Sequence, residues 1–169
     1  AYPATPWVDP VRGPDGAEAL DCAVIGAGQY GQTIAAALRR EQIQRIALFD
    51  AAPEGREGPW VTFARMTMLR TPKHLTGTEL GLPSLSFRAW WEAQHGAEGW
   101  DALFRIPRTA WMDYLAWHRH TLDLPVRNEW RLTACAPEAD GMLLRLGLET
   151  PEGPRTLFAR NIVFATGAN

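Results

Sequence analysis

Glycines at positions 26, 28 and 31 stand at the spacing that lets a backbone close on a phosphate group. In Gly26-Ala27-Gly28-Gln29-Tyr30-Gly31 the first glycine permits a tight turn, and the second lets the chain approach a pyrophosphate with no Cβ in between. The third lets a helix pack closely against the strand before it. A helix starting here turns free N–H groups and the positive end of its dipole toward the anion. Such a hexapeptide is weak alone and gains force from its flanks. Residues 21–26 are a short apolar run typical of a buried parallel strand, and residues 29–42 read as a helix with Ile34, Ala35, Ala37 and Leu38 inward. Residues 45–50 are a second apolar run, ending on Asp50, 19 residues after Gly31. A carboxylate there is placed to accept both hydroxyls of an adenosine ribose and to repel a 2′-phosphate. The bland alternative is a turn shaped by glycines beside a solvated strand end. It leaves the concurrence of strand, turn, helix and acid unexplained, so dinucleotide binding is the stronger reading.

The elements that must hold these residues follow from pattern. Strand, glycine turn, helix and strand make a βαβ unit with parallel neighbours. Residues 1–20 carry Pro3, Pro6, Pro10, Pro14, Gly13 and Gly16, a spacing that blocks regular structure and predicts an extended arm. Residues 51–84 are rich in Gly, Pro and Thr without periodicity, the mark of a binding loop. Helical patches follow at 86–94, with Phe87, Trp90 and Trp91, and at 108–122, with Trp111, Tyr114, Leu115, His118 and Leu122 on one stripe. Residues 130–137, 142–150 and 155–159 are short strand candidates, separated by Asp140-Gly141 and Pro151-Glu152-Gly153, and predict a three-stranded antiparallel meander. Residues 161–166 are again a buried strand, closed by Gly167. The expected fold class is α/β: an arm over 1–20, then a Rossmann-like domain over 21–169 with a parallel sheet, a helical and loop insertion and the β-meander.

Ala165-Thr166-Gly167 brings in a family. The chain resembles the two-dinucleotide-binding flavoproteins, whose FAD domain opens with G-x-G-x-x-G and closes on an Ala-Thr-Gly strand end after a meander. A plain NAD domain would continue in regular βα units. Within that superfamily the middle of the chain resembles the N-hydroxylating flavin monooxygenases, the ornithine and lysine N-monooxygenases. The matching residues are Ala64-Arg65-Met66, then Ile106-Pro107-Arg108 with Trp111-Met112-Asp113-Tyr114-Leu115, then Val126-Arg127 and Leu132-Thr133-Ala134. The resemblance implies FAD as cofactor and NADPH as its reductant. It further implies a flavin C4a-hydroperoxide that passes oxygen to a small-molecule substrate. The expected cofactor residues are Gly26, Gly28, Gln29, Tyr30, Gly31, Asp50 and Ala51 at phosphate and ribose, with Thr166 and Gly167 at the strand end. By the resemblance, Met66 and its neighbours would lie against the flavin ring, and the Leu132 backbone would touch the adenine; Trp60, just before this loop, and Arg70 within it are further cofactor candidates. Where that family has Gln after its Arg-Met pair this chain has Thr67, and its 68–74 segment also departs, which speaks against a diamino-acid substrate. Thr67, Lys73 and His74 are the candidate substrate residues.

Composition excludes other classes. With 46% hydrophobic and 21% charged residues and net charge −2, the 169 residues are not a disordered chain. A pI near 6.1 and no basic run beyond two residues leave no nucleic-acid footprint. No apolar stretch approaches the roughly 18 residues that span a bilayer, so no membrane partner is expected. Cys22 and Cys135 make neither a disulfide framework nor a zinc cluster, which fits a reducing cytoplasm, and no metal is expected. His118 and His120 face different ways on a helix, and His118 falls on the apolar stripe as a satisfied core histidine. Arg70, Lys73 and His74 form a basic cluster able to hold a flavin phosphate or steady charge at the ring edge, or else a solvated loop. Trp90, Trp91, Trp111 and Trp117 are expected in the core. No catalytic side chain is assigned. An FAD-dependent oxidoreductase of the monooxygenase type is expected, with two alternatives: a reductase or dehydrogenase without oxygen insertion, or a non-catalytic FAD-binding module needing a partner. Because the chain stops two residues after Gly167, the residues are expected to be the N-terminal part of a larger flavoprotein. Its nicotinamide domain would lie elsewhere, with the remainder or a second chain as partner and no turnover by this part alone.

Overall fold

Two strands buried on both faces nucleate the architecture. The computed structural model describes residues 8–139 and 141–167. β1 (Leu20–Ile25) and β2 (Ile46–Asp50) are almost wholly apolar and inaccessible, and α1 (Gln29–Arg40) connects them. Being covered on both sides removes the polar alternation of a surface strand. The later elements are a 3-10 turn (Pro83–Leu85), α2 (Phe87–Ala102), α3 (Arg108–Thr121), β3 (Val126–Asn128), β4 (Arg131–Pro137), β5 (Leu144–Thr150) and β6 (Gly153–Phe164). The six strands form one sheet in the order β3-β2-β1-β6-β5-β4. β1 runs parallel to both neighbours, with Val24 opposite Leu48 on one side and Val163 on the other. β3 is parallel to β2, and β5 is antiparallel to β4 and β6. This is the α/β Rossmann-like class the spacing predicts.

One expectation needs correction. The last meander strand and the closing strand, expected separately at 155–159 and 161–166, are a single 12-residue strand, β6. Its first half pairs antiparallel with β5 and its second half parallel with β1, and Ala159 sits at the handover, opposite both Leu144 and Leu20. Arg160, between the two expected strands, does not interrupt the pleat, because its side chain turns out to the carbonyl of Asp9 and toward Asp21. The meander is therefore an extension of the main sheet. α2 also runs past its expected end at 94, through a kink at Gly96 (φ +70), to Ala102. β5 starts at Leu144, two residues later than expected.

Strand alternation divides the core in two. Cys22, Val24, Ile46 and Leu48 pack with Ala35 of α1 and Leu124 on one face. Ala23, Ile25, Ala47 and Phe49 pack with Leu146, Leu148 and Ala159 on the other. A third, aromatic core lies under the long loop. Phe87 is its centre, with Trp90, Trp91, Trp100, Trp111 and Tyr114 at ring distances of 5.4–6.5 Å. The expected core tryptophans are all in or against this cluster, and Trp100 joins them.

The described part of the arm hugs the sheet. Gly13 lies against the Phe158 ring, and the carbonyls of Val8 and Asp9 accept from Arg45 and Arg160. A single bridge, Arg12 to Glu18, is its regular structure. Pro3 and Pro6 lie outside the described residues, as does Asp140 of the expected hairpin turn. Among the described residues no helix is long and apolar enough to cross a membrane.

Leu48 is fully buried at the junction of sheet and α1. Leu48→Ala is expected to cost about 2–5 kcal/mol, read as a lower urea midpoint at unchanged slope. A loss well under 1 kcal/mol would contradict this placement of β2.

Candidate dinucleotide site

The carboxyl ends of β1, β2 and β6 converge, and the glycine turn lies at their meeting point. Gly26 N–H donates to the carbonyl of Phe49 (2.8 Å), while Ile25 carbonyl accepts from Ala165 N–H (2.7 Å). The turn is thus held from both neighbouring strands. Gly26 has φ +101, and a Cβ on it would lie 2.5 Å from the Ala165 carbonyl oxygen. On Gly31 a Cβ would lie 1.9 Å from the Gly26 oxygen. These two glycines are demanded by the chain's own packing. Gly28 is different: its φ is −67, and a Cβ would meet the Gly58 backbone at ordinary distances, 3.5 Å to Cα and 3.6 Å to N. What its missing side chain leaves open is the approach from outside.

That opening suits an anion. Gly28 caps α1 without a side-chain hydrogen bond, and no acidic residue stands in the first turn. The first-turn N–H groups and the positive dipole end are therefore free of a competing carboxylate. The residues present fit a pyrophosphate at this place. Asp50 closes the other side. Its Oδ2 accepts from Ala27 N–H (2.7 Å) and its Oδ1 from Ala52 N–H (2.8 Å). The carboxylate fastens the glycine turn to the end of β2, and each oxygen keeps a further lone pair for a ribose hydroxyl. Ala51, beside it, is exposed. Gln29 is half-buried and accepts from Trp111 Nε1 (3.2 Å), tying α1 to the aromatic core, whereas Tyr30 is exposed. Thr166 and Gly167 are exposed and sit next to Gly26, so the first and last motifs of the sequence are one structure.

Leu132 lies half-buried just past the end of β2, since Trp130 N–H donates to the Asp50 carbonyl (2.9 Å). Trp130 stacks on Phe49 at 5.5 Å, and the Arg127 guanidinium covers the Trp130 ring at 4.8 Å. Sequence pattern placed Trp130 only as a strand residue. A group that it missed altogether is Glu57, 3% exposed, which accepts from Arg119 and Asn128. Those partners are 62 and 71 residues away, and no local spacing signals them.

The two middle motifs also meet. Residues 67–69 run antiparallel to 106–108, with Leu69 N–H on the Ile106 carbonyl (2.8 Å) and Arg108 N–H on that of Thr67 (3.0 Å). The Arg108 guanidinium donates to the Trp60 carbonyl, and half-buried Trp60 stands edge-on to Trp111. Met66 and Met68 protrude beyond this pairing. Of Arg70, Lys73 and His74, read as a basic cluster or else a solvated loop, one is drawn away to the end of α2. Lys73 Nζ donates to the Trp100 carbonyl (2.5 Å) and lies 4.5 Å over the Trp100 ring, securing the end of α2. Arg70 is exposed, and its carbonyl accepts from Arg105. His74 is exposed and, with Lys73, lines a cleft of about 260 Å³ beside Gly77, Phe87 and Trp111.

Displaced titratable groups lie away from the turn. Burial, reinforced by Asp21, raises the Cys22 thiol. Burial pushes Tyr114 up to about 12, with the Glu79 charge adding to it and the Thr78 hydrogen bond opposing it. Burial also lowers His118. His118 is only half satisfied, which corrects the expectation: Gln32 Nε2 donates to the Ala27 carbonyl, so Gln32 Oε1 faces His118 Nδ1 at 3.4 Å, while Nε2 has no partner.

The family described as FAD-NAD(P)-binding matches residues 23–169. A curated relative, the FAD-dependent urate hydroxylase of Xanthomonas campestris pv. campestris, is 51% identical over 167 residues. The alignment covers 99% of this chain and 34% of that protein, so the chain spans about a third of the relative's length. Among solved structures, an ornithine N-hydroxylase of Kutzneria sp. 744 superposes with a TM-score of 0.73 at 23% identity, covering 88% of this chain and 37% of that one. Ornithine hydroxylase of Pseudomonas aeruginosa gives 0.75 at 17% identity, covering 89% and 40%. At these identities the structural likeness speaks for the fold.

Two outcomes follow from the site's packing. Gly31→Ala should destabilise the chain by about 1–3 kcal/mol or more, because its Cβ meets backbone rather than a movable side chain; calorimetry checks it, and unchanged stability would refute the tight turn. His118 is neutral when buried and titrates lower than its ordinary 6.5, so the unfolded chain binds the extra proton first. Stability should therefore fall as pH drops below 6.5, down to the folded value, and urea midpoints measured across that range should flatten in His118→Gln. Equal slopes in both proteins would remove His118 as the cause.

Proposed function

The chain belongs to the FAD-NAD(P)-binding family, and from that premise we propose that it is the FAD-binding part of an NAD(P)H-dependent flavin oxidoreductase of the monooxygenase type. The observation that carries this reading is the glycine turn: Gly28 is a glycine that the chain's packing does not require, at an uncapped helix N-terminus closed by Asp50. In this reading residues 21–169 are the cofactor domain and 1–20 an arm.

Each residue has a task. The N–H groups of the turn and the first turn of α1 hold the pyrophosphate, and Asp50 accepts the ribose hydroxyls while bracing the turn. Ala51, Gln29 and Tyr30 line the entry. Leu132 backs the adenine. Thr166 and Gly167 close the strand end beside the phosphates. Met66, Trp60 and Arg70 are the residues that would meet the flavin ring, on a loop held by the pairing of 67–69 with 106–108. The flavin supplies the redox chemistry when bound; the protein's share is orientation and exclusion of water. Reduction falls to NADPH, bound by parts of the protein outside this chain. Thr67 and His74 are the residues left to meet a substrate, since Lys73 is engaged at the end of α2. The 51% identity to an enzyme named for urate makes a planar purine the first substrate to try, ahead of an alkyl amine. An exposed free thiol, Cys135, suits a reducing cytoplasm.

The test is FAD titration of the chain, followed by flavin absorbance. A yellow protein is expected, and a chain that takes up no FAD would refute the proposal. Gly28→Ala should keep its melting temperature within about 2–4 °C, while FAD binding weakens at least about tenfold, or 1.4 kcal/mol. Unchanged affinity would separate Gly28 from the cofactor.

A further inference from the structure

Glu57 is the most deeply buried carboxylate outside the strands, and nothing in the proposed chemistry uses it. Its Oε1 accepts from Arg119 of α3 (2.8 Å) and from Asn128 of β3 (2.6 Å). Asn128 Nδ2 also donates to the Ala52 carbonyl (3.1 Å), and Arg119 reaches exposed Glu54 at 3.7 Å. The next residue, Gly58, has φ +71 and lies against Gly28, each one's Cβ position being 3.5–3.7 Å from the other's Cα. The segment from Asp50 to Gly58 is therefore pinned at both ends. Asp50 holds Ala27 at one end, and Glu57 carries Gly58 onto Gly28 at the other.

We infer that Glu57, with Arg119 and Asn128, is a positioning residue that sets the width of the dinucleotide cradle by holding Gly58 against Gly28. The inference rests on the FAD reading for its ligand and adds a part of the site that no glycine fingerprint contains. Its physical basis is the cost of the alternative. A carboxylate this buried is tolerable only when paired, so its position is dictated by the guanidinium and the amide, both fixed on regular elements. One peptide further on, Gly58 inherits that position.

Two readouts on the full chain test this. In the FAD-free protein, hydrogen exchange at the amides of Ala27, Gly28, Gln29 and Tyr30 should quicken in Glu57→Gln, and should stay near wild type in Glu54→Gln, whose carboxylate is exposed. FAD affinity, followed by flavin fluorescence, should weaken about tenfold in Glu57→Gln, equivalent to about 1.4 kcal/mol, with Glu57→Asp recovering part of the loss. Gly58→Ala disturbs the same contact, so its loss and that of Glu57→Gln should fall short of additive in the double variant. A Glu57 that only stabilised the fold would give additive losses and unaltered exchange at the turn. That result, or wild-type affinity in folded Glu57→Gln, overturns the inference. Quickened exchange in a protein that takes up no FAD would support the strut while sinking the cofactor reading, so the two fail separately.

Discussion

Across 2.7 Å the amide of Ala27 meets the carboxylate of Asp50, and across 2.8 Å the amide of Gly26, on the same turn, meets the carbonyl of Phe49. These two bonds bring the end of β2 against the end of β1, and Ala165 brings β6 in from the other side. Everything at the candidate site depends on this closure. The turn can be so tight only because Gly26 and Gly31 carry no Cβ, and only then does α1 start with its N–H groups facing outward. A backbone that must approach an anion cannot also be crowded by its own side chains. The glycine spacing, the helix start and the acid at the end of β2 are consequences of one geometric demand.

The long loop shows how an irregular segment is held without further βα units. Its inner anchor is Leu69, which is buried and pairs with Ile106, and below it lies a cluster of large rings around Phe87 and Tyr114. Aromatic side chains bury large areas and interlock at their edges, so a few of them substitute for a strand or helix layer. The loop is tied down at 67–69, while Phe63, Met66 and Met68 remain outward. A fixed backbone presenting flexible, apolar tips suits a flat ligand better than a wholly mobile loop does.

The βαβ unit was legible because its signals are local: apolar runs of strand length, a glycine spacing and an acid at a set distance. The family resemblance, drawn from Ala165-Thr166-Gly167 and the middle motifs, agrees with the FAD-NAD(P)-binding match. The aromatic stripe of α3 was legible for the same reason, since helical periodicity needs only neighbours in sequence. The choice left open for Arg70, Lys73 and His74, cluster or solvated loop, was not legible, because proximity in a loop sequence says nothing about which carbonyl an ammonium will find. The two strands expected at 155–159 and 161–166 are one because the Arg160 between them keeps the pleat and sends its charge out to Asp9.

By itself the sequence determined the cradle: where the chain turns, where the helix begins, and which residues lack a Cβ. Those properties are written in single residues and short spacings, where steric rules act directly on the backbone. Only the tertiary structure decided what braces the cradle. It joined two expected strands into β6, turned Asp50 into a clamp on Ala27, and set Glu57 between α3 and β3 so that Gly58 closes on Gly28. The reason is physical: a buried carboxylate takes the partners that the packed elements bring to it, and those partners come from anywhere in the chain.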